Sequence, residues 1–251
     1  MRFEDRLVLS AMAGINNAEF CKTQKASLVI LGGFNADKGA MEAGKKVAER
    51  GRKEFIFEDP LEGIEKELRK IKGRKFAVNV RSSTLEGYIE TSRLVESYGG
   101  ILEINAHCRQ PEFISARCGE WLLFNPYELF KTVEEVSKIT ITAVKIRGGY
   151  ELDYEKLSAK LFEKGCEILH VDAMTPGGGC DLSLIQKVSK HGFTIGNNSF
   201  VDIRSGENMI KAGAKMVSAA RAVLKDRNFF EKMLKSVILS EPVELSRVNF
   251  I

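Results

Sequence analysis

The chain has 251 residues, of which 44% are hydrophobic and 29% charged, an ordinary globular composition that suits one domain over residues 1–251. A formal net charge of +4 permits a nucleic-acid partner without requiring one, and no uncharged apolar run approaches the ~18 residues of a membrane span. The five cysteines (Cys21, Cys108, Cys118, Cys166, Cys180) are odd in number and contain no Cys-x-x-Cys pair. That argues against a disulfide framework or a structural zinc site, and fits a reducing cytoplasm with no metal centre.

In chain order, the charged start Met1-Arg2-Phe3-Glu4-Asp5-Arg6 lacks the apolar segment of a secretion signal. Short β-branched runs then alternate with amphipathic segments of roughly ten to fifteen residues, the pattern of parallel βα units. Eight strands are expected: Leu7–Ser10, Ser27–Leu31, Lys75–Val80, Ile101–Asn105, Thr142–Ile146, Ile168–Val171, Phe193–Gly196 and Met216–Ala219. The helices between and after them are Asn17–Lys25, Pro60–Lys70, Leu85–Tyr98, Pro126–Lys138, Asp153–Lys164, Leu182–Lys190, Ser205–Ala212 and Asp226–Ser236, with an extra helix Lys38–Arg52 in the second unit. Asp59-Pro60 pairs an N-cap with a proline at the first helical position, and Gly165 and Gly213 close helices in the left-handed region. Eight units close an α/β barrel, whereas six would suggest an open doubly wound sheet. The barrel is expected over about residues 7–236, with a short tail ending in Phe250-Ile251 and no second domain.

Barrels of this kind carry their active sites where strands end and βα loops begin. Those positions hold Ala11-Met12-Ala13-Gly14, Gly32-Gly33-Phe34-Asn35, Asn79 with Arg81, Asn105-Ala106-His107-Cys108, Lys145 with Arg147, His170 with Asp172, Gly196-Asn197-Asn198, and Ala220-Arg221. The last two loops suit a phosphate: Gly196-Asn197-Asn198-Ser199 tolerates positive φ, small residues let an anion approach the backbone, and Arg221 adds a charge. Against this stands a plain turn with a surface arginine. Lys145 can hold an electron-rich ring or phosphate, form a Schiff base, or snorkel outward. Cys108 can be a proton donor, a nucleophile or a small apolar filler, and its neighbour His107 a proton carrier. His170 and Asp172 share one face of their strand, in the mouth or in the core. Gly177-Gly178-Gly179 is a lid or a simple connection.

These residues resemble the FMN-dependent dihydrouridine synthases and, more loosely, the dihydroorotate dehydrogenases, from about residue 7 to 224. Leu9-Ser10-Ala11-Met12-Ala13-Gly14 is similar to the family's first-strand APMAG. Asn105-Ala106-His107-Cys108 is similar to NxGCP, and Cys118-Gly119-Glu120-Trp121-Leu122-Leu123 to the glycine-then-LL stretch after it. Val144-Lys145-Ile146-Arg147-Gly148 matches VKxRxG, Gly196-Asn197 fits GNGDI, and Ala220-Arg221-Ala222 fits GRG. The chain departs from the family at Ala11 (proline there), Asn79 (glutamine), Arg109 (proline), Asp172 (histidine), and at Asn198 and the alanines flanking Arg221 (glycines).

The resemblance implies FMN across the barrel mouth, contacted by Ala11, Met12, Ala13, Asn79, Asn105, Lys145, Gly196, Asn197, Asn198, Ala220 and Arg221. It implies Cys108, Lys145, His170 and Asp172 as the reacting set and a C=C bond of a pyrimidine-like or other small substrate as the target. It also implies tRNA as a partner, but the family's carboxyl-terminal helical domain, which grips tRNA, has no counterpart here, so a small-molecule or nucleoside-like substrate is expected. Two other classes stay open: a Schiff-base lyase using Lys145 on a phosphorylated carbonyl compound, and a non-catalytic barrel that has kept a degenerate pocket. Oligomeric state is left open by the sequence.

Overall fold

A computed structural model describes residues 1–175 and 177–246. Among the described residues ten strands occur in chain order: β1 (Arg2–Phe3), β2 (Leu7–Leu9), β3 (Leu28–Asn35), β4 (Phe76–Arg81), β5 (Ile101–Ala106), β6 (Thr142–Arg147), β7 (Ile168–Asp172), β8 (Thr194–Asn197), β9 (Met216–Ala219) and β10 (Val243–Glu244). β2 to β9 close a barrel in sequence order with every pairing parallel, and helices alternate with the strands. The chain is therefore an α/β eight-stranded barrel. No helix among the described residues is long and apolar enough to cross a membrane.

The strand period of two sorts the side chains. Outward residues such as Val29, Leu31, Val78, Val80, Leu102, Ile104, Val144 and Val171 pack beneath the helices in the larger core. Inward residues at the amino-terminal end form a second apolar cluster: Val8, Leu28, Ile30, Ala77, Ile101, Ala143, Ile168, Ile195 and Met216. β1 and β10 pair antiparallel, and Phe3 and Leu245 belong to this same interior cluster, so a small two-stranded ribbon seals that end. Two residues further along each strand the interior turns polar: Ser10, Asn79, Glu103, Lys145, His170, Asn197 and Ser218. The floor is thus dry and the mouth is chemically equipped.

Several sequence expectations need correction. The second barrel strand runs to Asn35, because a register shift between Gly32 and Phe34 lets it keep pairing with β4. Gly32-Gly33-Phe34-Asn35 is therefore strand, not loop. The fourth connection holds two unforeseen short helices, Pro111–Ser115 and Glu120–Phe124. The expected helix Asp226–Ser236 is replaced by Arg221–Lys225, Phe229–Met233 and Val237–Ser240. Asp226 explains the break: its carboxylate accepts from the Asn228 backbone N–H and from Lys232, which fixes a turn there. The helix expected at Ser205 starts at Ile203 instead, where Asp202 and Ser205 form a reciprocal cap. The ribbon strands β1 and β10 were also unforeseen, and Phe250-Ile251 lie outside the described residues.

Ile30 is fully buried in the barrel floor. Ile30→Ala should lower unfolding free energy by about 2–5 kcal/mol in chemical denaturation. Tyr127→Ala, at a side chain 74% exposed, should change it by no more than about 0.5 kcal/mol. Equal effects would contradict the layering.

Candidate active site

The mouth is built from the top of the polar interior upward. Glu103 on β5 accepts from Asn79 Nδ2 (2.7 Å) and faces His170 Nδ1 at 2.6 Å. Burial pushes the Glu103 carboxyl up, yet the charge and hydrogen bond of His170, with Lys145 and Asn79, outweigh it and hold it below the usual carboxylate range. A carboxylate must be donated to, so His170 carries its proton on Nδ1. Burial pushes the His170 ring's pKa down, and its Nε2 stands 2.7 Å from the Ser218 hydroxyl. Ser218 in turn accepts from Asn197 Nδ2 at 2.6 Å. The chain of bonds also runs the other way: Asn105 Nδ2 donates to Asn79 Oδ1, and Asn105 Oδ1 accepts the backbone N–H groups of His107 and Cys108. One buried network therefore positions the loop that bears Cys108.

Lys145 on β6 is 5% exposed, and its Nζ donates to the Ser10 hydroxyl at 2.6 Å. Burial lowers its pKa against the pull of the Glu103 and Asp172 carboxylates. No carboxylate lies within ion-pair distance of it among the described residues. Arg81 on β4 is clamped instead: Glu54 pairs with it at 2.5 Å, the Gly33 carbonyl accepts from it, and its guanidinium lies 3.7 Å above the Phe113 ring. Its Nη1 also reaches Cys108 Sγ at 3.7 Å.

A third group sits at the rim. His107 Nε2 is 2.5 Å from Asp172 Oδ2, and Arg147 Nη1 reaches the same oxygen at 3.2 Å. Burial raises the Asp172 carboxyl, but the His107 hydrogen bond and the charges of His107, Lys145 and Arg147 prevail and bring it to about 2. Asp172 is thus a carboxylate, His107 donates from Nε2, and Arg147 points its N–H at Asp172 rather than at the ring.

These side chains surround a cavity of about 740 Å³ lined by Ala11, Met12, Ala13, Gly33, Asn79, Arg81, Asn105, His107, Cys108, Lys145, Arg147, Ala220 and Arg221, among others. A second cavity of about 630 Å³ adjoins it through Ala220 and Arg221, with Asp172, Asn197, Asn198, Ser199, Ser218 and Lys225 in its wall. Both volumes are typical of small-ligand sites. Asn198 and Ser199 have φ of 90° and 57° in succession. Non-glycine residues hold that left-handed conformation at a cost, which surrounding structure must sustain. Of the expected site residues, Ala11, Met12, Ala13, Asn79, Asn105, Cys108, Lys145, Ala220 and Arg221 line the first cavity, and Asp172, Asn197, Asn198, Ala220 and Arg221 the second.

Two expected site residues line neither. His170 is fully buried between Glu103 and Ser218, so it is a core group rather than a reacting one. Gly196 lies inside β8, and a Cβ there would meet Ile185 and Met209 at 3.2 and 3.3 Å, so it serves packing of helices rather than an anion. Sequence reasoning missed Arg52, Lys53 and Glu54, which lie on the connection between Lys38–Glu49 and Pro60–Lys70 rather than at a strand end. It also missed Glu103, whose alternation with Asn105 along β5 was the available signal. No cluster of three or more His, Cys, Asp or Glu suited to a metal occurs among the described residues.

No protein-family model matches the chain. An uncharacterized protein of Methanocaldococcus jannaschii is 28% identical over 239 residues, covering 89% of this chain and 91% of that protein. Among solved structures, a FabK mutant from Thermotoga maritima aligns with a TM-score of 0.53 at 12% identity over 94% of this chain. This chain spans 65% of FabK's length, and the likeness shows the fold.

The Asp172 contacts have a pH signature. A carboxyl whose folded pKa lies below its unfolded value of about 3.9 stabilises the fold above that pH. Its share here, on the order of 2 kcal/mol, should vanish as pH falls from about 4 to about 2. Wild type should therefore be more stable than Asp172→Asn near neutral pH, with the gap closing across that acid window in denaturation curves. A gap independent of pH would contradict an ion-paired Asp172.

Proposed function

We propose that the chain is an FMN-dependent oxidoreductase acting on the C=C bond of a small or nucleoside-like substrate, similar to the dihydrouridine synthases in its flavin site. Lys145 carries this reading. An ammonium buried to 5% exposure with only a neutral hydroxyl for a partner is costly unless a ligand supplies electron-rich atoms. Lys145 opens into a cavity contiguous with a second one, whose lip carries two left-handed non-glycine residues and Arg221. Gly33 adds a flat approach: a Cβ there would come within 2.7 Å of Asn79 Oδ1, and the buried Arg81 Nε beside it has no partner. A planar polar ring in the first cavity and a phosphate in the second suit this donor set.

When bound, FMN supplies hydride transfer, and the protein's share is binding, orientation and proton management. Asn198, Ser199, Arg221 and Lys225 would hold the phosphate end. Lys145, with Asn79 and Asn105 tied beneath it to Glu103, would face the ring's electron-rich edge. Cys108, fixed by the two backbone hydrogen bonds to Asn105, holds or receives the proton at the carbon neighbouring the hydride position. His107 and Arg147, locked by Asp172, close the wall beside it.

A lowered lysine also suits Schiff-base chemistry, so borohydride treatment with a phosphorylated aldehyde should leave Lys145 unmodified if the flavin reading holds.

Titration with FMN should give a saturable, coloured complex. Arg221→Ala and Lys145→Met should each weaken it about 10- to 100-fold, the value of a charge-assisted hydrogen bond. Cys108→Ala should keep the flavin and lose about 10²- to 10⁴-fold in turnover. Protein that takes up no FMN sinks the proposal.

A further inference from the structure

The mouth has more positive charge than a single flavin phosphate requires. The phosphate cavity belongs to β8 and β9. Around the closed barrel, β5 stands four strands from β9 in either direction, so β4 and β5 form the opposite wall. Arg109, in the loop after β5, reaches the first cavity from that wall, and Arg52 and Lys53 reach it from the connection between β3 and β4. Among the described residues none of the three has an acidic partner within ion-pair distance, whereas Arg81 is matched by Glu54 and Arg147 by Asp172. Glu54 is the one acidic residue lining this cavity, and it is spent on Arg81.

The wall is built rather than draped. The backbone at Lys53 and Glu54 packs so tightly on the first βα loop that a Cβ on Gly14 would lie 2.6 Å from Lys53 Cβ and 2.7 Å from Glu54 N. The Glu54–Arg81 pair, both side chains under 5% exposed, anchors the same segment to the barrel interior. Arg147 lines the cavity, and its buried Nε has no acceptor among the described residues. A buried donor without a partner ordinarily signals a group that binds there. Cys108 lies on this same side, next to Arg109 in the chain.

We propose that the substrate carries an oxyanion, a carboxylate or a phosphate-type group, received by Arg109, Lys53 and Arg52 with Arg147 Nε beneath them. The proposal rests on the flavin reading above and specifies its substrate class. It places the anion at Arg109, beside Cys108, so that one end of the substrate is fixed by charge while its double bond lies over the flavin. A neutral pyrimidine would leave these cations unmatched.

The full chain loaded with FMN tests this with three electron-poor alkenes: crotonate, vinylphosphonate and the neutral crotonamide. Binding is read from perturbation of the flavin spectrum. At least one anion should bind about 10- to 100-fold more tightly than the amide, with affinity falling as salt is raised. Whichever anion wins identifies the group. Arg109→Ala and Lys53→Ala should each remove about tenfold of that anion's affinity while FMN affinity stays unchanged. Crotonamide binding as tightly as both anions, or variants with undiminished anion affinity, would overturn the proposal. So would tRNA binding that these variants abolish while neither small anion binds. Coloured protein indifferent to all three alkenes defeats the proposal alone; protein that never acquires FMN defeats the flavin reading and this proposal together.

Discussion

Two buried groups of opposite sign, the carboxylate of Glu103 and the amine of Lys145, constrain everything above them. They stand on adjacent strands, each two residues beyond the apolar floor. Neither is tolerable in a dry interior without donors and acceptors around it. Glu103 is satisfied by Asn79 and His170, and those two in turn recruit Asn105 and Ser218. Among the described residues Lys145 donates to Ser10, and it lines the cavity above.

The same network fixes the geometry of the chemistry. Asn105 is its outermost member, and its carbonyl oxygen takes the backbone N–H groups of His107 and Cys108. Cys108 therefore has a position set by buried bonds through Asn79 and Glu103, not by the surface of its loop. On its other side, Arg81 is held by Glu54, the Gly33 carbonyl and the Phe113 ring. A thiol fixed from below by one network and from the side by another is preorganised, which is what proton transfer to a bound substrate needs.

The barrel was legible because its signal is long-range and repetitive: eight β-branched runs separated by amphipathic helices admit few topologies. What escaped was local. The continuation of β3 past Gly32-Gly33 depends on a register shift that no periodicity announces. The broken terminal helix depends on one side chain, Asp226, competing for backbone hydrogen bonds. In the site, the parity of a strand dictates which side chains face the mouth, and residues at strand ends such as Asn79, Asn105 and Lys145 line the first cavity. Strand position alone could not separate Asp172, at the rim, from His170 two residues deeper, because depth along the barrel axis follows from stagger between strands. Nor could it reach Arg52, Lys53 and Glu54, which come to the mouth on a connection between two helices.

Two of the positions that differ from the flavoenzyme motifs coincide in space. His107 stands where the NxGCP pattern has glycine, and Asp172 where the sixth strand of the sequence pattern has histidine. They come from β5 and β7, 65 positions apart, yet meet at 2.5 Å with Arg147 on the same carboxylate. Asp172 thereby orients the imidazole and the guanidinium together. Together they satisfy one another and draw the Asp172 carboxyl down to about 2. The rim charges are thus matched to one another beside an open cavity that Lys145 lines.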